Sequence, residues 1–451
     1  MPEFATSKLG ELASTDRYAI TIGPFGSKMK ADTYVASGIP VIRGTNIGTS
    51  RSLKGDWVYI PHLLAKTMPN CCLSEGDLVF PHRGAIGEIA LIEGENLPLF
   101  LSSSMMKFRP NPKKLLSRFA YYYFRSDLGR QEILRFASSV GTPGIGQPLT
   151  SLRQFLIPVP PLEEQAEIAA ILSVLDDKIE LNRATNETLE AIAQAIFRDW
   201  FVDFGPVRRK MAGVIDPVAI MGGLTPDPTD AAELAALFPM DFDVSDFPVG
   251  WDVEPVIDQA NWVNGAAYKK MHFVAPGEGL PVIKIAELKA GVTSTTGFTN
   301  TDLGSRYRID DGELLFSWSG NPDTSIDTFI WTGGPAWLNQ HIFAVRPNGT
   351  RTLGFLFAML KYLNPTFAEI ARDKQTTGLG HVTKEDLKRL RVVVPPKTIE
   401  TAFDMLMTPI FQKLQASLLE NRTLAETRDY LLPRLMSGEV RVGYAAQEIA
   451  A

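Results

Sequence analysis

Cysteine is almost missing from this 451-residue chain: there are two, Cys71 and Cys72, side by side. Neighbouring cysteines do not readily bridge each other and offer no four-ligand zinc spacing. That excludes a disulfide framework and a zinc module, and it points to a reducing, cytoplasmic setting. No run of about 18 apolar residues occurs, which excludes a membrane-spanning helix. Residues 1–12 lack the basic head and apolar stretch of a signal peptide. The five histidines, His62, His82, His272, His341 and His381, are scattered without metal-like pairs. Catalytic motifs are missing too. Gly23-Pro24-Phe25-Gly26-Ser27-Lys28 lacks the spacing of a phosphate loop. There is no Asn/Asp-Pro-Pro-Tyr/Phe element of an amino-methyltransferase, and the carboxylates form no nuclease-like cluster. No catalytic residue and no metal ligand are assigned.

What is present is a repetition about 235 residues apart. Pro160-Pro161 precedes a long helical pattern, and so does Pro395-Pro396. Gly38-Ile39-Pro40-Val41-Ile42-Arg43 answers to Gly279-Leu280-Pro281-Val282-Ile283-Lys284. Glu75-Gly76-Asp77-Leu78-Val79-Phe80 answers to Asp311-Gly312-Glu313-Leu314-Leu315-Phe316, and Phe108-Arg109-Pro110 to Val345-Arg346-Pro347. Thr142-Pro143-Gly144-Ile145-Gly146 answers to Thr376-Thr377-Gly378-Leu379-Gly380. An ordered set of this kind indicates a duplicated unit. A duplicated protein has pseudo-twofold symmetry available to it, which suits a pseudo-symmetric partner such as duplex DNA.

Charge is distributed unevenly. The first 160 residues hold 18 Lys and Arg against 12 Asp and Glu, whereas residues 161–244 hold 6 against 16. The first globule is therefore the basic one and fits phosphate contact despite a net charge of −6.

Residues 1–160 read as a mostly β globule with a helical stretch from Leu115 to Phe136. Residues 251–396 repeat that plan, with Leu353 to Ala371 as the matching helix. Residues 161–204 form a helix whose inward stripe is Ile168, Leu172, Leu175, Ile179, Asn186, Leu189, Ala193, Ile196 and Trp200. At about 40 residues it is roughly 60 Å long. Residues 397–440 form a second, with Phe403, Leu406, Ile410, Leu414, Leu418, Asn421, Leu424, Leu431 and Leu435, stopped by Gly438. Asn186 and Asn421 occupy matching positions, and a polar residue within an apolar seam fixes register. Residues 205–250 read as an acidic Pro/Gly-containing linker and 441–451 as a tail. The fold class expected is α+β: two mostly-β domains separated by two long helices that form an antiparallel coiled coil.

These segments resemble the DNA-specificity (S) subunits of type I restriction-modification systems. The resemblance is carried by Pro158-Val159-Pro160-Pro161-Leu162-Glu163-Glu164-Gln165, by Leu175-Asp176-Asp177-Lys178-Ile179 and by Phe197-Arg198-Asp199-Trp200-Phe201-Val202-Asp203-Phe204. Leu424-Ala425-Glu426-Thr427-Arg428-Asp429-Tyr430-Leu431-Leu432-Pro433-Arg434-Leu435-Met436-Ser437-Gly438 carries it near the end. It implies two target recognition domains, each reading one half of a split, asymmetric site on double-stranded DNA. It also implies helical spacers that set the gap and dock two methyltransferase (M) subunits, with restriction (R) subunits joining for cleavage. S-adenosylmethionine, magnesium and ATP would belong to those partners, and this chain would bind no cofactor. The sequence departs from the family pattern at Lys397-Thr398-Ile399-Glu400, which replaces a second Leu-Glu-Glu-Gln.

DNA reading needs polar loops, with Lys and Arg for phosphates and planar polar groups for base edges. In the first domain the candidates are Ser27, Lys28, Lys30, Arg43, Asn46, His82, Arg83, Thr142, Gly144 and Gln147. In the second they are Lys269, Lys270, Lys284, Trp318, Ser319, Asn321, Asn339, Gln340, His341, Lys374, Thr376, Thr377 and His381. Each has a plainer alternative: Arg43 as a solvated strand end, Asn339 and Gln340 as caps, Trp318 as core. Arg208-Arg209-Lys210 reads either as a helix exit or as a phosphate or subunit contact. Asp176 and Asp177 lie on a helix face open to a partner. A self-contained methyltransferase or nuclease lacks its motifs here. A coiled-coil scaffold without DNA leaves two similar globules with Gly-containing polar loops unexplained.

Overall fold

The computed structural model describes residues 4–25, 29, 31–48, 50–138, 144–375 and 379–442. It divides into two units, Met1–Leu181 with Thr423–Ala451, and Asn182–Arg422.

The first unit opens with β1 (Thr6–Lys8), α1 (Leu9–Leu12), β2 (Ile20–Ile22), β3 (Ile39–Ile42), β4 (Val58–Ile60) and α2 (His62–Thr67). Next come β5 (Leu78–Pro81), β6 (Ala90–Leu91), β7 (Phe100–Leu101), β8 (Met105–Phe108), α3 (Ser117–Arg125) and α4 (Asp127–Leu134). The globule closes with β9 (Ala137–Ser138), β10 (Gly144–Ile145), α5 (Pro148–Gln154) and β11 (Leu156–Pro158), and then α6 (Leu162–Phe201) begins. Strands assemble in the orders β2-β8-β5-β6, β4-β3-β7, β1-β11 and β10-β9. The expected single helix from Leu115 to Phe136 is two. Ser126 breaks it, its Oγ accepting from Gly129 N at 3.2 Å to cap α4. A Cβ at Gly129 would meet Tyr123 O at 2.1 Å, so only glycine lets the second helix pack this closely on the first.

The second unit holds the latter half of α6, then α7 (Gly205–Met211), α8 (Pro217–Ile220), α9 (Pro228–Leu237), β12 (Asp252–Pro255) and β13 (Asn261–Asn264). It continues with β14 (Leu280–Ile283), α10 (Ile285–Ala290), β15 (Phe298–Thr299), β16 (Arg308–Ile309), β17 (Leu314–Ser317) and β18 (Ser319–Gly320). The remaining elements are β19 (Asp327–Ile330), β20 (Ala336–Leu338), β21 (Ile342–Arg346), α11 (Leu353–Asp373), β22 (Gly380–His381), α12 (Lys384–Arg389), β23 (Arg391–Val394) and α13 (Lys397–Ser437). The sheets β13-β21-β17-β19, β15-β14-β20-β16 and β12-β23 repeat the plan of the first unit. Even the exception recurs: β3 pairs with β7 and β14 with β20 in parallel, while the other named strand pairs are antiparallel.

Within each unit the helices run antiparallel. In the first, Ile168, Leu172 and Leu175 of α6 share a core with Leu431, Leu432, Leu435 and Met436 of α13, and Arg428 Nη1 reaches Asp176 Oδ1 at 2.8 Å. In the second, Phe201 packs on Phe403 at 4.9 Å between ring centroids. Asn182 Nδ2 donates to Glu420 Oε2 at 2.8 Å and Asn421 Oδ1 at 3.0 Å. Residue numbers rise on one helix as they fall on the other. The polar partner of Asn421 is therefore Asn182, one turn before Asn186. Gly438, at φ 76°, ends α13. Its N–H bonds Leu435 O at 3.3 Å and Val440 N bonds Arg434 O at 3.2 Å, which satisfies the last carbonyls.

Residues 205–250 differ from the linker expected. Three helices form there, and Phe204, Val207, Ile220, Met221, Ala235 and Phe238 join the core around Trp200 and Trp251. Prolines at the first turns of α7, α8 and α9 start these helices rather than break chain order, because a first-turn residue needs no N–H.

Candidate nucleic-acid interface

Both units carry the same backbone frame beneath their loops. Gly76 (φ 81°) and Gly312 (φ 90°) make the turn into β5 and β17, a conformation that favours glycine. The acid that follows each glycine caps that turn: Ser74 N donates to Asp77 Oδ2 at 2.8 Å, and Asp310 N to Glu313 Oε1 at 3.3 Å. An arginine at the end of the neighbouring strand, just past β8 in the first unit and last in β21 in the second, closes the lock. Arg109 Nε donates to Asp77 Oδ1 at 2.6 Å, and Arg346 Nε to Glu313 Oε2 at 2.8 Å.

The loops leaving β5 and β17 meet the same two neighbours in each unit. His82 N donates to Ser104 O at 2.9 Å, as Trp318 N does to His341 O at 3.3 Å. Ile145 N donates to His82 O at 2.9 Å, as Val382 N does to Trp318 O at 2.8 Å. Arg83 bridges Gly144, and Ser319 pairs with His381. This geometry gathers Arg83, Gly144 and Gln147 in the first unit, where Arg83 and Gln147 are exposed. In the second it gathers Trp318, Ser319, His341 and His381, with Gln340 Nε2 3.2 Å from His341 Nε2.

Several candidates are occupied internally. Asn46 is 1% exposed; its Oδ1 accepts from Arg43 N at 3.0 Å and its Nδ2 donates to Lys54 O and Asp56 O. It shapes the loop after β3 rather than presenting an amide edge. Arg43 Nη2 donates to Asp56 O at 2.6 Å, so that guanidinium braces the same loop. His82 is 2% exposed and donates through Nε2 to Ser103 O at 3.0 Å. Burial pushes its pKa down, with Arg83 adding to the shift. Asn339 and Ser319 are buried. Asn321 is exposed but turns Oδ1 onto Asp323 N and Thr324 N. Lys374 pairs with the buried Asp386. Lys269 and Lys270 are exposed, and Lys284 lies with Nζ 5.5 Å over the Phe273 ring. Ser27, Lys28, Lys30, Thr142, Thr376 and Thr377 lie outside the described residues.

The basic run is a strap. Arg209 donates to both oxygens of Asp199, at 2.9 and 2.7 Å, and to Ile220 O at 2.6 Å. Lys210 Nζ donates to Phe238 O at 2.6 Å, and Arg208 Nε to Asp203 O at 2.9 Å. These cations hold residues 205–238 against the end of α6. Asp176 and Asp177 also have partners at home: Asp176 is 4% exposed against Arg428, and Asp177 pairs with Arg51 at 2.5 Å.

Two participants escaped sequence reasoning. Ser104 holds the place of His341, and its signal was the polar triplet Ser102-Ser103-Ser104 between the apolar pairs Phe100-Leu101 and Met105-Met106. Asn264 Oδ1 fixes the Trp318 indole N–H at 2.9 Å and had no local signal.

Residues 4–191 and 248–426 match the type I restriction modification DNA specificity domain. The chain belongs to this family. It is 26% identical over 402 residues to the specificity subunit of the HindI type I restriction enzyme of Haemophilus influenzae, covering 82% of this chain and 87% of that protein. It is 23% identical over 403 residues to the MjaIX specificity subunit of Methanocaldococcus jannaschii, covering 86% of this chain and 84% of that one. The crystal structure of a type I restriction-modification S subunit from M. genitalium shares the fold, with a TM-score of 0.52 at 17% identity and 96% coverage of both chains. As a DNA specificity subunit the chain is a DNA-recognition component of a type I restriction-modification system and not its catalyst. Among the described residues no helix is long and apolar enough to cross a membrane, and no group of three or more His, Cys, Asp or Glu is placed to hold a metal ion.

Proposed function

We propose that this specificity subunit reads a split, asymmetric DNA site, one half with each unit, in the cytoplasm. α6 and α13 fix the gap between halves and dock two methyltransferase subunits, and restriction subunits join the assembly for cleavage. The observation that carries this reading is one frame of backbone hydrogen bonds used twice, with unlike side chains at the loop tips. A repeated scaffold with different tips suits two unlike half-sites. Arg83, Gln147, Lys269, Lys270 and Lys284 are exposed near those loops and supply phosphate and base-edge donors. A 40-residue helix such as α6 is about 60 Å long, ample for half-sites about one helical turn, or 34–36 Å, apart. The residues outside the described set, Ser27, Lys28, Lys30, Thr142, Thr376 and Thr377, remain part of this proposal.

S-adenosylmethionine, magnesium and ATP are assigned to the partner subunits. Methylation of an adenine requires its extrusion from the duplex into a methyltransferase pocket. This chain positions the DNA for that step. The test is to co-express it with the methyltransferase subunit encoded beside it and sequence host DNA for methylated adenines. A split motif with one modified adenine on each strand, lost when this chain is omitted, is the expected result. A continuous motif, or modification that persists without this chain, would overturn the proposal.

A further inference from the structure

We infer that the ring cluster Trp318, His341 and His381 determines which bases the second unit accepts. This rests on the DNA-reading proposal above and locates its specificity in three side chains.

The duplication itself supplies the comparison. At the lock on the turn into β5 and β17 the two units keep the same chemistry, Asp77 with Arg109 and Glu313 with Arg346. Where the three loops meet, the backbone bonds are kept and the side chains change completely. Trp318 stands where the first unit has the buried His82, His341 where it has Ser104, and His381 where it has Gly144. Divergence confined to a conserved frame is what two readers of unlike sequences require.

The cluster is also built to hold its shape. The indole lies 5.5 Å from the His341 ring and 6.4 Å from the His381 ring, centroid to centroid, and 5.8 Å from Phe343. Asn264 fixes the indole N–H. The three rings are half-buried, so each keeps part of its surface for a ligand. His341 Nδ1 is buried without a partner, and Nε2 lies 3.2 Å from the Gln340 amide. Burial, and then His381, push the His341 pKa below the ordinary imidazole value of 6.5. A neutral imidazole has one donor and one acceptor nitrogen, and the one paired with Gln340 forms with that amide the polar edge beside the rings. The flat indole face suits contact with a thymine methyl group or an unstacked base. The neighbouring charges are Lys384, with Nζ 5.8 Å over Phe343, Lys374 with Asp386, and Arg372 with Asp323. Lys384 adds phosphate attraction beside the rings.

The experiment uses the full chain with its methyltransferase subunit and the same methylation mapping. His341→Ala, His381→Ala and Trp318→Phe are each mapped. We expect discrimination at one or two positions of one half-site to fall about tenfold or more, with the other half unchanged. The unchanged half shows that the complex is folded and docked. Should an alanine variant modify no site, His341→Gln or His381→Gln is mapped in its place, retaining a polar side chain of similar reach. A motif unchanged in both halves overturns the inference, and so does equal relaxation of both halves. A parent complex that yields no split motif sinks the DNA-reading proposal instead, and is recognised before any variant is made.

Discussion

Arg351 Nη1 donates to Glu400 Oε2 at 2.6 Å, with the arginine 8% and the glutamate 0% exposed. Glu400 sits four residues after Pro396, as Gln165 sits four after Pro161. Gln165 accepts from Leu116 N at 2.8 Å and donates to Pro160 O and Lys114 O. One position therefore fastens the start of each long helix to its globule, through a neutral amide in the first unit and an ion pair in the second. The departure from Leu-Glu-Glu-Gln is a change of chemistry at an unchanged joint.

Glu400→Gln leaves the buried Arg351 charge with only the longer contact to Glu254, at 3.8 Å, and we expect a loss of about 3 kcal/mol. Gln165→Ala leaves one N–H and two carbonyls unsatisfied, at about 1–3 kcal/mol. Urea midpoints of the two variants check both figures, and equal midpoints to the parent would show that neither joint matters.

Phe238→Ala tests whether residues 205–250 are part of the second unit's core. Phe238 is 2% exposed and packs edge-on to Trp200 at 5.0 Å. A folded insertion predicts a cost of about 3–5 kcal/mol. A tether would tolerate the change, so a thermal midpoint within error of the parent would restore the linker reading.

Stability should depend on pH through His82. Its buried imidazole titrates below the ordinary value of 6.5, so just under that value the unfolded chain binds a proton that the folded chain refuses. Stability rises with pH wherever the unfolded state holds more protons. It is therefore retained above pH 6.5 and lost as pH falls from there towards the folded pKa. His82→Asn should give a shallower fall in denaturant midpoint over that range. An identical slope would assign the acid sensitivity elsewhere.

Removing seven residues from α6 and the facing seven from α13 shortens the helix pair by about 10 Å, or about three base pairs. Methylation mapping should report a shorter gap or no modification. The same gap with shorter helices would end the ruler proposal.

Replacing residues 1–160 by the first domain of another family member should change one half of the motif. Mapping would reveal a change in both halves if the units do not read independently.

The helices and the duplication were legible in the sequence because period 3.6 and ordered repeats survive without tertiary information. Ile168, Leu172, Leu175, Leu431 and Leu435 all face inward as their spacing required. Residues 205–250 were misread because proline, glycine and acid recur throughout the segment, while the core residues Ile220, Met221 and Phe238 follow no period. The interface was the least legible part. His82 and Arg83 are neighbours of similar polarity, yet one is buried and the other exposed. Only a contact 21 residues away, from His82 to Ser103 O, decides between them. Asn46 and Arg43 were chosen for the donors they carry, and both turned those donors onto their own loop.

The first unit is assembled from residues 1–181 and 423–451, so its helix core joins two segments far apart in sequence. During synthesis, Ile168, Leu172 and Leu175 emerge long before Leu431, Leu432, Leu435 and Met436 exist to cover them. The first unit thus waits on residues made about 250 positions later, although domains generally fold from the N-terminus as they appear. A message cut short anywhere before Leu431 would yield a chain whose opening domain keeps an uncovered apolar strip. Such a truncated chain carries an exposed apolar face where the whole one has a core.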